Sequence, residues 1–438
     1  MNVVPLHNTS SKDGVKPPFT SQIVTALDVG STKICCLIAR VEKSTSKNST
    51  KPSLRVLGVG HHAANGVRGG VVTDIDQAER SIRLAVDAAE RMAQTSINEV
   101  YVNVSGGRPK SVSLSGARTV QAETVDQNDV NEAIGAAMRN AQLDGRILLH
   151  ASPVQFDLDD AKGVRDPRGM YGDRLGVDVN AVMVEPSAMR NLAMVIERCH
   201  LSVASFVIAP YAAGKSALVD DEIELGTTLI DMGGATTSVG VFYGGHLIYG
   251  DVVPVGGHHI TKDMARGLST TIAHAERMKV LYGSALPSIY DDREIVSVPL
   301  LGERGVDKIN QVPRSMLTGI IRPRLEEIFE MVQERLETSP VANKLGRSIV
   351  LSGGASQLTG TREAATQILS RNVRIASPHS LPGLPESGKS PAFSVATGLL
   401  QYALTPDRHT SQMMEFGELG GQQANYFNRV GRWIKDSF

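Results

Sequence analysis

The chain is poor in cysteine and in aromatic residues, and its opposite charges nearly cancel. Its 438 residues include three cysteines and one tryptophan, and aromatic side chains make up 4%. Cys35, Cys36 and Cys199 lie in apolar stretches without metal-ligand spacing, which predicts buried free thiols in a reducing compartment. The 45 Lys and Arg against 46 Asp and Glu leave a formal charge of −1, so we expect no nucleic-acid partner.

Long hydrophobic runs are also lacking. No run reaches the roughly 18 uncharged apolar residues that a membrane-spanning helix requires, and no signal peptide is visible. We therefore expect a cytoplasmic protein. At 438 residues the chain is too long for one hydrophobic core and should form two or more domains.

A strand, an acidic residue and a turn of small residues occur together in the run LIDMGGATTSV at 229–239. Asp231 ends an apolar strand, Gly233 and Gly234 follow, and a second β-branched strand returns. The backbone N–H groups of such a turn can bind phosphate oxygens while the carboxylate binds the accompanying cation. An ordinary hairpin turn would have the same pattern, so this run alone does not distinguish a phosphate-binding turn from an ordinary hairpin.

The pattern occurs a second time. The run TALDVGSTKICCLI at 25–38 has the same order around Asp28, which indicates an internal repeat. A third glycine turn lies in IVLSGGASQL at 349–358. We expect an α/β protein with two duplicated halves whose Asp turns face each other across a nucleotide cleft. The third turn would hold the rest of the nucleotide.

Two further segments depart from this α/β alternation. Residues 106–180 combine short alternating segments with one helical run, which predicts a small α+β insertion in the first half. The last 14 residues, 425–438, predict an amphipathic helix after a polar linker. Its apolar face carries Tyr426, Phe427, Val430, Trp433, Ile434 and Phe438, and its basic residues are Arg429, Arg432 and Lys435.

The amphipathic segment predicts binding to an anionic phospholipid surface. Burying each large apolar side chain contributes about 1.5 to 3 kcal/mol at most, and each basic residue adds about 1 kcal/mol. Ordering the segment costs on the order of 1 kcal/mol per residue, so one anchor is weak and self-association would strengthen it. A helix packed on the protein's own core is the alternative.

In the order of these motifs the chain resembles the actin, sugar kinase and Hsp70 superfamily, and within it the FtsA family of bacterial cell-division actin homologues. The resemblance covers residues 21–404 and the tail. It implies an actin-like ATPase fold that binds ATP and Mg²⁺, with Asp28 and Asp231 holding the metal through water. The implied nucleotide-binding residues are Asp28, Gly30, Ser31, Thr32 and Lys33 in the first turn, Asp231, Gly233, Gly234, Thr236 and Thr237 in the second, Gly256 and Gly257 before a helix, Glu276 and Lys279 on a helix, and Gly353, Gly354, Ala355 and Gln357 in the third turn.

Some of these residues also have a simpler interpretation. Lys33 could be a solvated strand residue, and Glu276 and Lys279 could form a surface ion pair worth about 0.2 to 0.5 kcal/mol. His258 and His259 are adjacent at a helix start and are assigned no role. No residue identifies itself as a general base, so we expect ATP binding with at most slow hydrolysis.

The resemblance also implies a domain division and a function. The function is self-association on the cytoplasmic face of the bacterial inner membrane at the division septum, where the small subdomain binds the FtsZ C-terminal peptide and the insertion contacts later division proteins. The implied division is a disordered arm (1–20), a first half (21–105, 181–222 and 391–404), the inserted domain (106–180), a second half (223–262 and 316–390) with a small subdomain (263–315), a flexible linker (405–424) and the membrane helix (425–438).

Two other functions within the superfamily stay open at this point. A small-molecule or sugar kinase would need a substrate site with a catalytic base, and the sequence has no such signature. An actin-like type IV pilus assembly protein would share the relocated small domain, but it is not expected to end in a linker and a basic amphipathic helix. We do not expect an Hsp70-like chaperone, because no substrate-binding β domain follows in this sequence.

Overall fold

The computed structural model describes residues 22–42, 52–141, 144–302 and 309–404. The predicted arm, linker and amphipathic tail lie outside these residues and stay predictions. The strands are β1 (Ile23–Val29), β2 (Lys33–Glu42), β3 (Ser53–Ala63), β4 (Val67–Arg68), β5 (Val71–Val72), β6 (Glu99–Val104), β7 (Lys110–Thr119), β8 (Ile147–Leu158), β9 (Ala161–Val164), β10 (Arg174–Val184), β11 (Ser202–Ile208), β12 (Thr227–Met232), β13 (Thr237–Tyr243), β14 (His246–Val253), β15 (Ile295–Pro299), β16 (Ile309–Pro313), β17 (Ser348–Ser352) and β18 (Asn372–Ile375). The helices are α1 (Ile75–Ala93), α2 (Gln127–Arg139), α3 (Pro186–Arg198), α4 (Ala209–Ala217), α5 (Asp220–Leu225), α6 (Gly257–Gly267), α7 (Ile272–Tyr282), α8 (Arg314–Glu337), α9 (Thr361–Leu369) and α10 (Ser394–Leu404).

Two five-stranded sheets share one topology, which confirms the predicted duplication. The first sheet has the order β3-β2-β1-β6-β11 and the second has the order β14-β13-β12-β17-β18. In both sheets, the first three strands form an antiparallel meander. The first strand of the meander also pairs in parallel with a fourth strand, which pairs in parallel with a fifth. The central strands β1 and β12 therefore carry the two Asp residues to equivalent positions.

Helices α4 and α10 pack between the two sheets and join them into one core. Tyr211 and Tyr402 from these helices contact each other edge to face at 5.9 Å, in a buried cluster that also holds Leu229 and Phe242 of the second sheet. The outer faces are covered by α1 and α3 on the first sheet and by α8 on the second. The apolar stripe that predicts a helix over 316–336 is buried along α8 as expected.

The inserted domain is an antiparallel sheet of order β7-β10-β8-β9 with α2 on one face, which confirms a small α+β insertion in the first half. It also contacts the second half at β14. The Ser111 hydroxyl donates to the Gly250 carbonyl at 3.1 Å and accepts from the Gly250 N–H at 2.8 Å. The Asn180 amide donates to the Leu247 carbonyl at 3.1 Å. The insertion thus contacts both halves.

The cysteine prediction is correct for two of the three residues. Cys35 and Cys36 are buried in β2, whereas Cys199 is half-buried because it lies at the exposed C-terminal end of α3. All three are free thiols. Among the described residues, no helix combines the length and hydropathy of a membrane span.

Candidate nucleotide-binding site

The two Asp turns have the same local geometry. Asp28 lies opposite Cys35 across the β1–β2 ladder, and Asp231 lies opposite Ser238 across β12–β13. Each turn is closed by the N–H of its first glycine. Gly30 donates to the carbonyl of Lys33 at 3.0 Å in the first turn. In the second turn, Gly233 donates to the carbonyl of Thr236 at 2.9 Å.

The two turns meet across the cleft between the halves. A Cβ atom on Gly234 would lie 2.3 Å from Cγ2 of Thr32, so glycine at this position lets the second turn pack against the Thr32 side chain. The sequence prediction that the Asp turns face each other is therefore matched by direct packing of one turn on the other.

The carboxylates of both turns are buried close together, with little compensating charge. Burial raises the pKa of Asp28 to about 6, and the Lys33 ammonium opposes this rise. Burial raises the pKa of Asp231 to about 7, and the negative charge of Asp28 raises it further while Lys33 opposes. It is costly to ionise both carboxylates at once. A hard divalent cation prefers oxygen ligands and would stabilise the two negative charges, so these residues fit Mg²⁺.

Lys33 is not a solvated strand residue. Its ammonium donates to the carbonyl of Ala392 at 2.8 Å and lies 3.5 Å from the ring centroid of Phe393. These partners belong to the segment that precedes α10. In the same segment, the Pro391 carbonyl accepts the N–H of Gly353 at 3.1 Å. Lys33 therefore connects the first turn to a segment that also contacts the third turn.

The N-terminal end of α6 packs directly on the second turn. The N–H of Gly257 donates to the Gly233 carbonyl at 3.0 Å, and the N–H of His258 donates to the Gly234 carbonyl at 2.6 Å. His259 accepts the N–H of Gly256 at its Nδ1 atom, at 3.1 Å, so it caps the helix. No group of three or more His, Cys, Asp or Glu side chains that could hold a metal ion occurs in the described parts of the chain.

Glu276 and Lys279 form part of a partly buried network rather than a simple surface pair. The Lys279 ammonium donates to Glu276 at 2.8 Å, to the Thr261 hydroxyl at 2.8 Å and to the Gly257 carbonyl at 3.1 Å. Burial opposes ionisation of Glu276, but the hydrogen bonds from Lys279 and Thr261 prevail and lower its pKa. The network fixes α7 against the start of α6, beside the second turn.

The third turn lies against the same helix start. Gly353 has a φ of +83°, and a Cβ atom there would lie 2.5 Å from the Met232 carbonyl, so the turn requires glycine. A Cβ atom on Gly257 would lie 2.8 Å from Cβ of Ala355, which brings the second and third turns together. Gly354 is exposed beside them.

Three predicted residues contribute less directly to the cleft. Thr237 is fully buried, and its hydroxyl donates to the Val255 carbonyl at 2.8 Å. The neighbouring Thr236 is also buried but lies within the turn itself. Gln357 is exposed and lines a shallow depression with Arg362 and Arg374, where none of the other predicted site residues lies. Ser31 accepts the N–H of Gly70 at its hydroxyl, at 3.0 Å.

One residue of the site is missing from the sequence prediction. Asn103 at the end of β6 is 2% exposed, and its Oδ1 atom accepts the N–H of Val29 at 2.6 Å, directly after Asp28. The available signal is a lone Asn within the otherwise apolar strand EVYVNV.

Comparison with known proteins identifies the family. A profile described as "Cell division protein FtsA" matches residues 228–398, and one described as "SHS2 domain inserted in FTSA" matches residues 106–183. Cell division protein FtsA of Rhizobium meliloti is 45% identical over 427 residues, covering 96% of each chain. The chain belongs to the FtsA family of cell division proteins. Escherichia coli FtsA is a more distant relative, 30% identical over 95% of this chain and 98% of its own.

Solved structures agree with the actin-like fold of this FtsA-family chain. The PilM-PilN type IV pilus biogenesis complex matches with a TM-score of 0.60 at 17% identity, covering 87% of this chain and 99% of that one. MreB 5 of Spiroplasma citri bound to AMPPNP matches with a TM-score of 0.52 at 14% identity, covering 91% and 100%. These matches establish the fold alone. Near full-length similarity to FtsA decides against the sugar kinase and pilus alternatives.

Proposed function

We propose that this FtsA-family chain binds Mg²⁺-ATP between its two halves and uses the nucleotide to set its conformation and self-association. The observation that carries this proposal is the meeting of two duplicated turns, each with a buried carboxylate whose pKa is raised. The nucleotide-bound MreB 5 structure, which shares the fold, supports a nucleotide in this cleft.

The residues of the cleft have distinct roles in this proposal. Asp28 and Asp231 would hold Mg²⁺ through water, and the metal ion would supply positive charge to neutralise the phosphates. The backbone N–H groups of the two turns and the Lys33 ammonium bind the β- and γ-phosphates. Gly353 and Ala355 border the adenosine, with Glu276 and Lys279 beside the ribose. We expect ATP turnover to be slow at most.

We further propose that the small subdomain, residues 263–315, binds the C-terminal peptide of FtsZ and so tethers FtsZ filaments. Its described residues present large apolar side chains to solvent, such as Ile289 at 85% exposure and Val280 at 71%. Exposed apolar clusters of this kind favour a protein partner. The other exposed large apolar side chains in this segment are those of Ile272, Leu281, Tyr282, Leu286, Tyr290, Ile295, Leu301 and Ile309.

The membrane part of the proposal depends on the tail. Residues 425–438 would lie in the surface of anionic phospholipid on the cytoplasmic face of the inner membrane at the division septum, and the inserted domain would contact later division proteins. Self-association would convert many weak anchors into stable attachment.

Co-sedimentation with anionic liposomes, with and without Mg²⁺-ATP and FtsZ, tests this function. We expect the full chain to pellet with the liposomes and to carry FtsZ with it. Deleting residues 425–438 should abolish pelleting while ATP binding persists. Ile289→Ser with Tyr290→Ser should pellet without FtsZ, and Leu225→Ser is the matched control because Leu225 is 78% exposed outside the subdomain. Pelleting of the truncated chain would refute the anchor, and FtsZ capture by the double variant would refute this docking surface.

A further inference from the structure

The first Asp turn is held by a side chain where a backbone ladder would be expected. Strands β1 and β6 are parallel, and their register ends with Leu27 opposite Val102. One step further on, the N–H of Val29 donates to Oδ1 of Asn103 at 2.6 Å. Asn103 is 2% exposed, so this hydrogen bond is shielded from water and fixes the backbone between Asp28 and Gly30.

A second contact holds the turn from the same direction. The N–H of Gly70 donates to the Ser31 hydroxyl at 3.0 Å. Gly70 packs on the backbone that follows Asn103, since a Cβ atom at Gly70 would lie 2.5 Å from the carbonyl carbon of Ser105 and 2.6 Å from the nitrogen of Gly106.

Both contacts lead to the root of the inserted domain, which we define as residues 103–106. The chain leaves the first sheet here and enters β7 at Lys110. It returns beside the same point, because the N–H of Glu185 donates to the Gly107 carbonyl at 2.9 Å. A shift of the inserted domain at its root would therefore act on Val29 through Asn103 and on Ser31 through Gly70.

We propose that the root of the inserted domain positions the first phosphate-binding turn, with Asn103 as a positioning residue that acts through the amide of Val29. The proposal deepens the proposed function and rests on nucleotide binding in this cleft. Because coupling between two sites is reciprocal, a partner that shifts the inserted domain at its root would change nucleotide affinity, and nucleotide would change affinity for that partner.

Substitution of Asn103 tests the positioning role. Asn103→Leu keeps the branched shape of the side chain but cannot accept the Val29 N–H, and we expect ATP to bind about tenfold more weakly. Thr227→Val is the matched control, since Thr227 is also buried and its hydroxyl donates to the Ser348 carbonyl at 3.1 Å, at the end of β12 away from the turns. It should lose thermal stability with less than a twofold change in the ATP dissociation constant.

Two neighbouring glycines provide a test that does not depend on Asn103. Gly69 and Gly70 have φ angles of +57° and +74°, so alanine strains the backbone at both. A Cβ atom on Gly69 meets nothing within 4 Å, whereas on Gly70 it collides with the root. We expect Gly70→Ala to weaken ATP binding several-fold more than Gly69→Ala does.

The dissociation constants for ATP and ADP, measured on the full chains with Mg²⁺, separate the outcomes. Equal losses within both pairs of variants would overturn the positioning role and leave the proposed function intact. Absence of ATP binding by the unaltered chain would overturn the proposed function and this inference with it. Selective loss in Asn103→Leu and Gly70→Ala would support the inference.

Discussion

The two Asp turns share their strand order, register and closing hydrogen bond, but different parts of the protein hold them in place. In the second half, the parallel ladder continues to the level of the acid, where Asp231 lies opposite Ser352. In the first half, the ladder ends one residue earlier, and the Asn103 side chain replaces it. Backbone groups of α6 hold the second turn, whereas Asn103 and Gly70 hold the first.

This difference follows from what each half carries. The first turn is connected to the root of the inserted domain, and the second turn is connected through α6 and Lys279 to α7, which enters the small subdomain. A nucleotide between the turns would contact both connections. The duplicated core is thus the constant part of the molecule, and the two turns join it to the two segments proposed to bind partners.

Removing the metal-binding charge from either turn should have the largest effect. Asp231→Asn keeps the shape of the side chain but removes a negative charge that would face Mg²⁺, and we expect ATP affinity in Mg²⁺ to fall by at least about 100-fold. Titration of the protein with ATP in Mg²⁺, with and without EDTA, measures this affinity. Asp220→Asn is the control, because Asp220 is exposed on α5. Magnesium dependence that survives in Asp231→Asn would contradict the assignment.

Asp28 should impose a pH-dependent cost on the nucleotide-free protein. Burial raises its pKa to about 6 from 3.8, so the folded state favours the neutral acid. The contribution of Asp28 to stability is therefore greatest below pH 4, falls as pH rises toward 6, and is lower by on the order of 3 kcal/mol above that. We expect Asp28→Asn to melt at a higher temperature than the parent at pH 8 in EDTA, with a smaller advantage at pH 5. An equal difference at both pH values would count against a buried, ionised Asp28.

The sequence predicts the duplicated turns because their signal is local. An Asp at the end of an apolar strand followed by glycine specifies strand, turn and strand within about ten residues. The contacts that complete the site join distant parts of the chain, and no local pattern encodes them. Lys33 reaches Ala392 across 359 positions, and Asn103 reaches Val29 across 74.

The close approach of the two turns can be tested by a double-mutant cycle. Gly234→Ala places a methyl group 2.3 Å from Cγ2 of Thr32, which is too close, so the substitution should separate the turns. We expect about a tenfold loss of ATP affinity. Thr32→Ser removes that methyl group and should restore most of the loss in the double variant, although alone it changes affinity little. Additive losses would show that the turns do not meet in the nucleotide-bound state.

The smallest effect should come from making the first turn more like the second. Lys33 corresponds to Thr236 as the residue whose carbonyl closes the turn, so Lys33→Thr removes the ammonium but keeps the turn hydrogen bond. The ammonium now bonds to Ala392 and stacks on Phe393, and phosphate binding would have to replace these contacts, which reduces its net contribution. We therefore expect only about a threefold to tenfold loss of ATP affinity, with a smaller loss for AMP. Lys262→Thr on α6 is the control for loss of one positive charge. Equal loss for ATP and AMP would indicate that Lys33 acts through the Pro391–Phe393 segment and not on the outer phosphates.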